Sequence, residues 1–93
     1  MKIFVCTRVN DKDADTYAHN AKLVSRAMMR FGKDIEVKTP FYEGRYPANT
    51  NHFLYSLGKS ILYMAECNDA VFPEECIGLF EITLRKIWEN THI

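Results

Sequence analysis

The chain has 93 residues, enough for one hydrophobic core and too few for two, so residues 1–93 read as a single domain. Hydrophobic residues at 47% and charged residues at 26% are the proportions of a folded globular chain and exclude a disordered or collagen-like one. Twelve basic side chains balance twelve acidic ones, so no long-range field draws the chain to a nucleic-acid polymer or an anionic membrane.

The three cysteines, Cys6, Cys67 and Cys76, contain no C-x-x-C pair. That pattern argues against a disulfide framework or a zinc ribbon, fits a reducing compartment, and predicts small buried hydrophobes. His19, His52 and His92 lack ligand spacing, so neither a metal nor a cofactor is expected. The first residues read as a strand and not as a leader, and no run of about 18 apolar residues occurs, which predicts a cytoplasmic protein without a membrane span.

In chain order, Lys2 to Cys6 is a continuous apolar run of the kind that forms a strand covered on both faces. Thr7 to Asp13 is polar and turn-prone, and Asp13 or Asp15 is placed to cap a helix. In open α/β sheets ligands bind beyond the carboxyl ends of strands, which makes Thr7 and Arg8 candidates for contacts to a sugar or phosphate; a solvated connector explains them equally well. Tyr17, Ala21, Val24, Met28 and Phe31 recur at helical spacing and predict the buried face of the first helix. Lys22, Arg26 and Arg30 then form an outward, solvated row. Gly32 ends the helix, and Asp34 to Thr39 alternates polar and apolar as an edge strand does.

Phe41 to Thr50 combines aromatics with Gly44, Pro47 and Arg45. Tyr42 and Tyr46 suit stacking on a nucleobase with Arg45 near a phosphate, or the aromatics close the bottom of a small core. Thr50 or Asn51 can cap a second helix whose stripe is Leu54, Leu57, Ile61 and Met64. Tyr55, Leu62 and Tyr63 on its other flank exceed what one sheet face needs, which points to self-association as a homodimer or higher homo-oligomer. Gly58-Lys59-Ser60 looks like the tail of a phosphate-binding loop but lacks the earlier glycine and lies mid-helix, so it is rejected.

Asp69 to Phe72 reads as a third strand, Pro73 stops it, and Gly78 lets backbone approach whatever fills the loop. The last helix carries Ile77, Phe80, Leu84 and Ile87 on one stripe, and Glu81 falls in its first turn. A carboxylate there is favoured by unpaired N–H groups and the helix dipole, whether it serves as a nucleophile or only steadies the helix. The order strand, helix, strand, helix, strand, helix predicts a small three-layer Rossmann-like or flavodoxin-like α/β fold with a parallel sheet in the order 2-1-3. The loops after strands one and three would then face each other across a switch point, with Glu81 lining the cleft.

The Lys2 to Cys6 strand, Leu23-Val-Ser-Arg with Arg30-Phe-Gly-Lys33, and Asp69-Ala-Val leading to Gly78-Leu-Phe-Glu81 resemble the nucleoside 2-deoxyribosyltransferase-like family. That family includes the 2′-deoxynucleoside 5′-monophosphate N-glycosidases, and the likeness covers most of the chain in a shortened form. It implies a small-molecule nucleoside or nucleotide as ligand. Glu81 would be the nucleophile at the anomeric carbon, through a glycosyl-enzyme intermediate, with backbone at Gly78 bordering the ligand. Asp69 is read as structural. The alternatives from the residues themselves are a non-catalytic protein that sequesters or senses a nucleotide-derived signal, with Arg8 and Arg45 on phosphate and Tyr42 or Tyr46 on the base, or an interaction module working through apolar helix flanks.

Overall fold

The computed structural model describes residues 1–8, 14–41, 51–75 and 78–91. Its elements are β1 (Lys2–Val5), α1 (Ala14–Phe31), β2 (Glu36–Lys38), α2 (His52–Ala65), β3 (Asp69–Val71) and α3 (Leu79–Thr91). The three strands form one parallel sheet in the order β2-β1-β3, the α/β arrangement that the alternation of elements predicts. Ile3 stands opposite both Val37 and Asp69, so the central strand is gripped along both edges.

The chain crosses from β1 to β2 in one lateral direction and from β2 to β3 in the other. Right-handed crossovers then place α1 and α2 on opposite faces of the sheet. Two apolar clusters follow from this. Ile3 and Val5 pack with Leu23 and Ala27 of α1, whereas Phe4 and Cys6 pack with Met64 and Cys67 at the end of α2 and with Phe80 and Leu84 of α3. Alternate residues of β1 thus feed alternate layers, as the two-residue period of a strand requires, and β1 is enclosed on both sides. Cys6 and Cys67 are buried among hydrophobes, as the cysteine pattern predicts.

Two helix faces differ in part from those read from apolar spacing: Phe31 of α1 and Leu57, Ile61 and Met64 of α2 pack on the core as expected, but other members of each stripe do not. In α1 the buried residues are Asn20, Leu23 and Ala27, while Tyr17 is 66% exposed. The helix is turned because Asn20 finds backbone partners inside and Ala27 permits close approach to the sheet. In α2 the buried residues are Ser56, Ser60 and Met64, and Leu54 points outward at 61% exposure. The serines lie inside because Ser60 is satisfied there: its hydroxyl donates to the carbonyl of Ser56 at 2.8 Å and accepts from the Phe41 N–H at 2.8 Å. A polar atom so paired is buried at little cost.

Asn51 caps α2, its side chain accepting from the Leu54 N–H at 3.1 Å. Gly32 follows α1 with φ 103°, the left-handed conformation in which a glycine ends a helix without strain. Phe41 packs edge-on against both Tyr55 and Tyr63, so these two rings serve the core as well as the flank of α2.

Candidate functional site

In a parallel sheet every strand ends on the same side, so the segments leaving β1 and β3 begin next to each other. The Cys6 N–H donates to the Val71 carbonyl at 2.9 Å and extends that ladder by one bond. Thr7 is buried, and its N–H turns back to the Val5 carbonyl at 3.0 Å. Arg8 keeps an exposed side chain while its backbone is clamped by Asn20: the Arg8 N–H donates to Oδ1 at 3.1 Å, and Nδ2 donates to the Arg8 carbonyl at 2.9 Å. Both polar groups of one residue are thereby met by one buried amide. Arg8 is thus fixed through its backbone, three residues past the last residue of β1.

Across β3, the Ile82 N–H donates to the Gly78 carbonyl at 2.9 Å, which makes Gly78 the cap of α3 and Glu81 the third helical residue. Glu81 is only 7% exposed, and its carboxylate lies back over Gly78, where a Cβ would stand 2.5 Å from Oε2. Only a glycine leaves room for the carboxylate in this position. A glutamate three residues past a cap commonly reaches back toward it, beside the unpaired N–H groups of the first turn. Among the described residues no ion pair involves Glu81.

One helix cannot cover a three-stranded sheet face, and grooves open on both flanks of α1. On the β3 side a groove of about 600 Å³ has Leu23, Ala27, Val71 and Phe72 along its walls, with Arg26, Arg30, Glu74 and Glu75 at the rim. Its volume suits a small organic ligand. Arg26 reaches Glu75 at 3.1 Å, with both side chains substantially exposed. The carboxyl of Glu75 lies below its usual range, held there first by its own backbone N–H and then by the Arg26 guanidinium. On the β2 side a second groove of about 300 Å³ is lined by Thr7, Tyr17, Asn20, Val24 and Thr39 among others.

The site residues expected from the sequence are therefore distributed. Thr7 lines the smaller groove, whereas Arg8, Gly78 and Glu81 line neither groove. Arg8 and Glu81 both belong to segments at the carboxyl side of the sheet, one leaving β1 and the other following β3. Tyr42, Arg45 and Tyr46 lie outside the described residues. Among the described residues, no group of His, Cys, Asp and Glu is arranged to hold a metal ion, and no helix is long and apolar enough to cross a membrane.

Spacing alone did not reveal Asn20 or Arg26. Asn20 carries a weak signal, a lone amide between Tyr17 and Leu23 in a helix, where an asparagine needs a tertiary partner to be buried. Arg26 belongs to a row that is exposed as expected, yet its partner Glu75 is 49 residues away and no local rule pairs them. No protein-family model, no curated protein and no solved structure matches the chain.

Proposed function

We propose that the chain binds a nucleoside or nucleotide at the carboxyl ends of β1 and β3 and acts on its N-glycosidic bond, with Glu81 as the nucleophile. The observation that carries this reading is the place of Glu81: a largely buried carboxylate in the first turn of the helix that follows β3, next to the central strand. The likeness of Gly78-Leu-Phe-Glu81 to the catalytic segment of the deoxyribosyltransferase-like proteins supports the same assignment. One carboxylate oxygen attacks the anomeric carbon, the bond to the base nitrogen breaks, and the base leaves with a proton taken from solvent. Water then attacks the glycosyl ester, releasing the sugar and regenerating the carboxylate. The exposed Arg8 guanidinium, on the segment that leaves β1, suits a phosphate.

A second reading is favoured by the carboxylate lying back on Gly78. In that pose it suits accepting hydrogen bonds from sugar hydroxyls more than in-line attack, and the chain would hold a nucleotide without cleaving it.

Incubation of the purified chain with a panel of nucleosides and nucleotides, followed by mass spectrometry of the bound fraction and of the products, separates the two. Base release abolished by Glu81→Gln supports the first. A ligand retained unchanged, and lost in Arg8→Ala, supports the second. Neither release nor retention with any member of the panel removes the nucleotide assignment altogether.

A further inference from the structure

The solvent side of α2 is unlike that of any ordinary surface helix. From Phe53 to Ala65 its exposed positions are Phe53, Leu54, Gly58, Leu62 and Ala65, without a charge among them. Its one charged residue, Lys59, is half-buried with its ammonium 5.8 Å over the ring of Tyr55. By contrast, the exposed face of α1 carries Lys22, Arg26 and Arg30, and the later turns of α3 carry an Arg85–Glu89 pair at 2.9 Å. A helix facing water normally has polar residues there. Leu54 and Leu62 are each 61% exposed, and the space a Cβ at Gly58 would enter is open.

We infer that this face is the interface with a second copy of the chain. Leu54, Gly58 and Leu62 are four residues apart and form one straight ridge with a notch at its centre. Two such ridges interlock when the helices cross at about 50°, and glycine at the crossing lets the axes come close. A twofold axis through Gly58 sets the two leucines of each copy on either side of the other's notch. A surface that meets itself must avoid charges that would face their own kind, and this one has none.

The area required points to a second copy and not to a lone peptide. A stable interface takes about 800 Å² from each partner, more than one four-turn ridge supplies. The neighbouring helix extends the apolar surface: Phe53 touches Phe80 edge-on at 5.6 Å between ring centres, and Leu79 and Ile82 of α3 are also exposed. Two helices of one copy against two of the other use both ridges, while a single bound helix leaves α3 uncovered. The paired charges of Arg85 and Glu89 stay in water at the rim.

Sedimentation equilibrium of the full chain across a concentration series tests this. The expected result is a reversible dimer, weakened at least about thirtyfold by Leu62→Glu and by Gly58→Arg. Both changes lie at exposed positions, so the circular dichroism spectrum should not change, and Lys22→Glu at an exposed position of α1, on the other face of the sheet, should leave the dimer intact. A chain that stays monomeric throughout overturns the inference, including the case in which it binds phosphatidylcholine vesicles through this face. So does a dimer indifferent to both substitutions.

Discussion

The Glu81 carboxylate rests on Gly78, with Oε2 2.5 Å from the point a Cβ would occupy. The contact joins the cap of α3 to its third residue, so the backbone at one position decides where the acid at the other can sit. The displaced atom is the end of a flexible side chain, so adding a methyl group moves the carboxylate and not the fold.

Gly78→Ala should therefore change stability by no more than about 1 kcal/mol in urea unfolding while swinging Glu81 away. Nucleotide retention or base release should fall toward the level of Glu81→Gln. Unaltered function in a folded Gly78→Ala protein would show that this pose of the carboxylate is not the working one.

Asn20 should matter more than its place on a helix suggests. Asn20→Leu leaves the N–H and carbonyl of Arg8 without their partner, a loss of about 1–3 kcal/mol where those groups are shielded from water. Urea midpoints measure the cost. Amide exchange at Arg8 should accelerate more than exchange in β3, because the clamp fixes the exit of β1 and not the sheet.

Glu75 is held ionised by its own backbone N–H and then by Arg26, so its folded-state pKa is depressed. The associated stabilisation is complete above the ordinary carboxylate range and is lost as pH falls through the lowered value. Arg26→Gln should raise the Glu75 value, though not fully, since the backbone bond remains. Carbon-detected NMR titration of the side-chain carboxyl reads this directly. Because the pair is exposed, the neutral-pH melting temperature should scarcely move.

Cys67 has the opposite sign. Burial, reinforced by the nearby Glu66 carboxylate, pushes its thiol pKa up, and its Sγ donates to the Tyr63 carbonyl at 3.3 Å. The folded state keeps the proton that the unfolded state gives up, so this contribution to stability is present below the ordinary thiol range and is lost as pH rises through the raised value. Compared with Cys67→Ala, the native chain should lose stability faster toward alkaline pH. Cys67 should react with a disulfide reagent in urea and not in buffer.

The alternation of strands and helices, the parallel sheet with β1 at its centre and the end of α1 at Gly32 were legible in the residues alone. These follow from local spacing, turn residues and the handedness of crossovers, none of which needs a distant partner. Glu81 could likewise be placed in a first turn, since Gly78 and the stripe through Phe80 and Leu84 lie within a few residues of it. The α3 stripe through Phe80, Leu84 and Ile87 was legible too and packs on the core, whereas the innermost residues of α1 and α2 were set by long-range contacts. Apolar spacing favoured Tyr17 and Leu54, but Asn20 and Ser60 took the inner positions once Arg8 and Phe41 supplied hydrogen bonds from elsewhere in the chain. The pairing of Arg26 with Glu75, and the groove beside it, likewise arise because one helix spans a three-stranded face. A polar side chain is buried when its partner is present, and that partner is set by the fold and not by its neighbours in sequence.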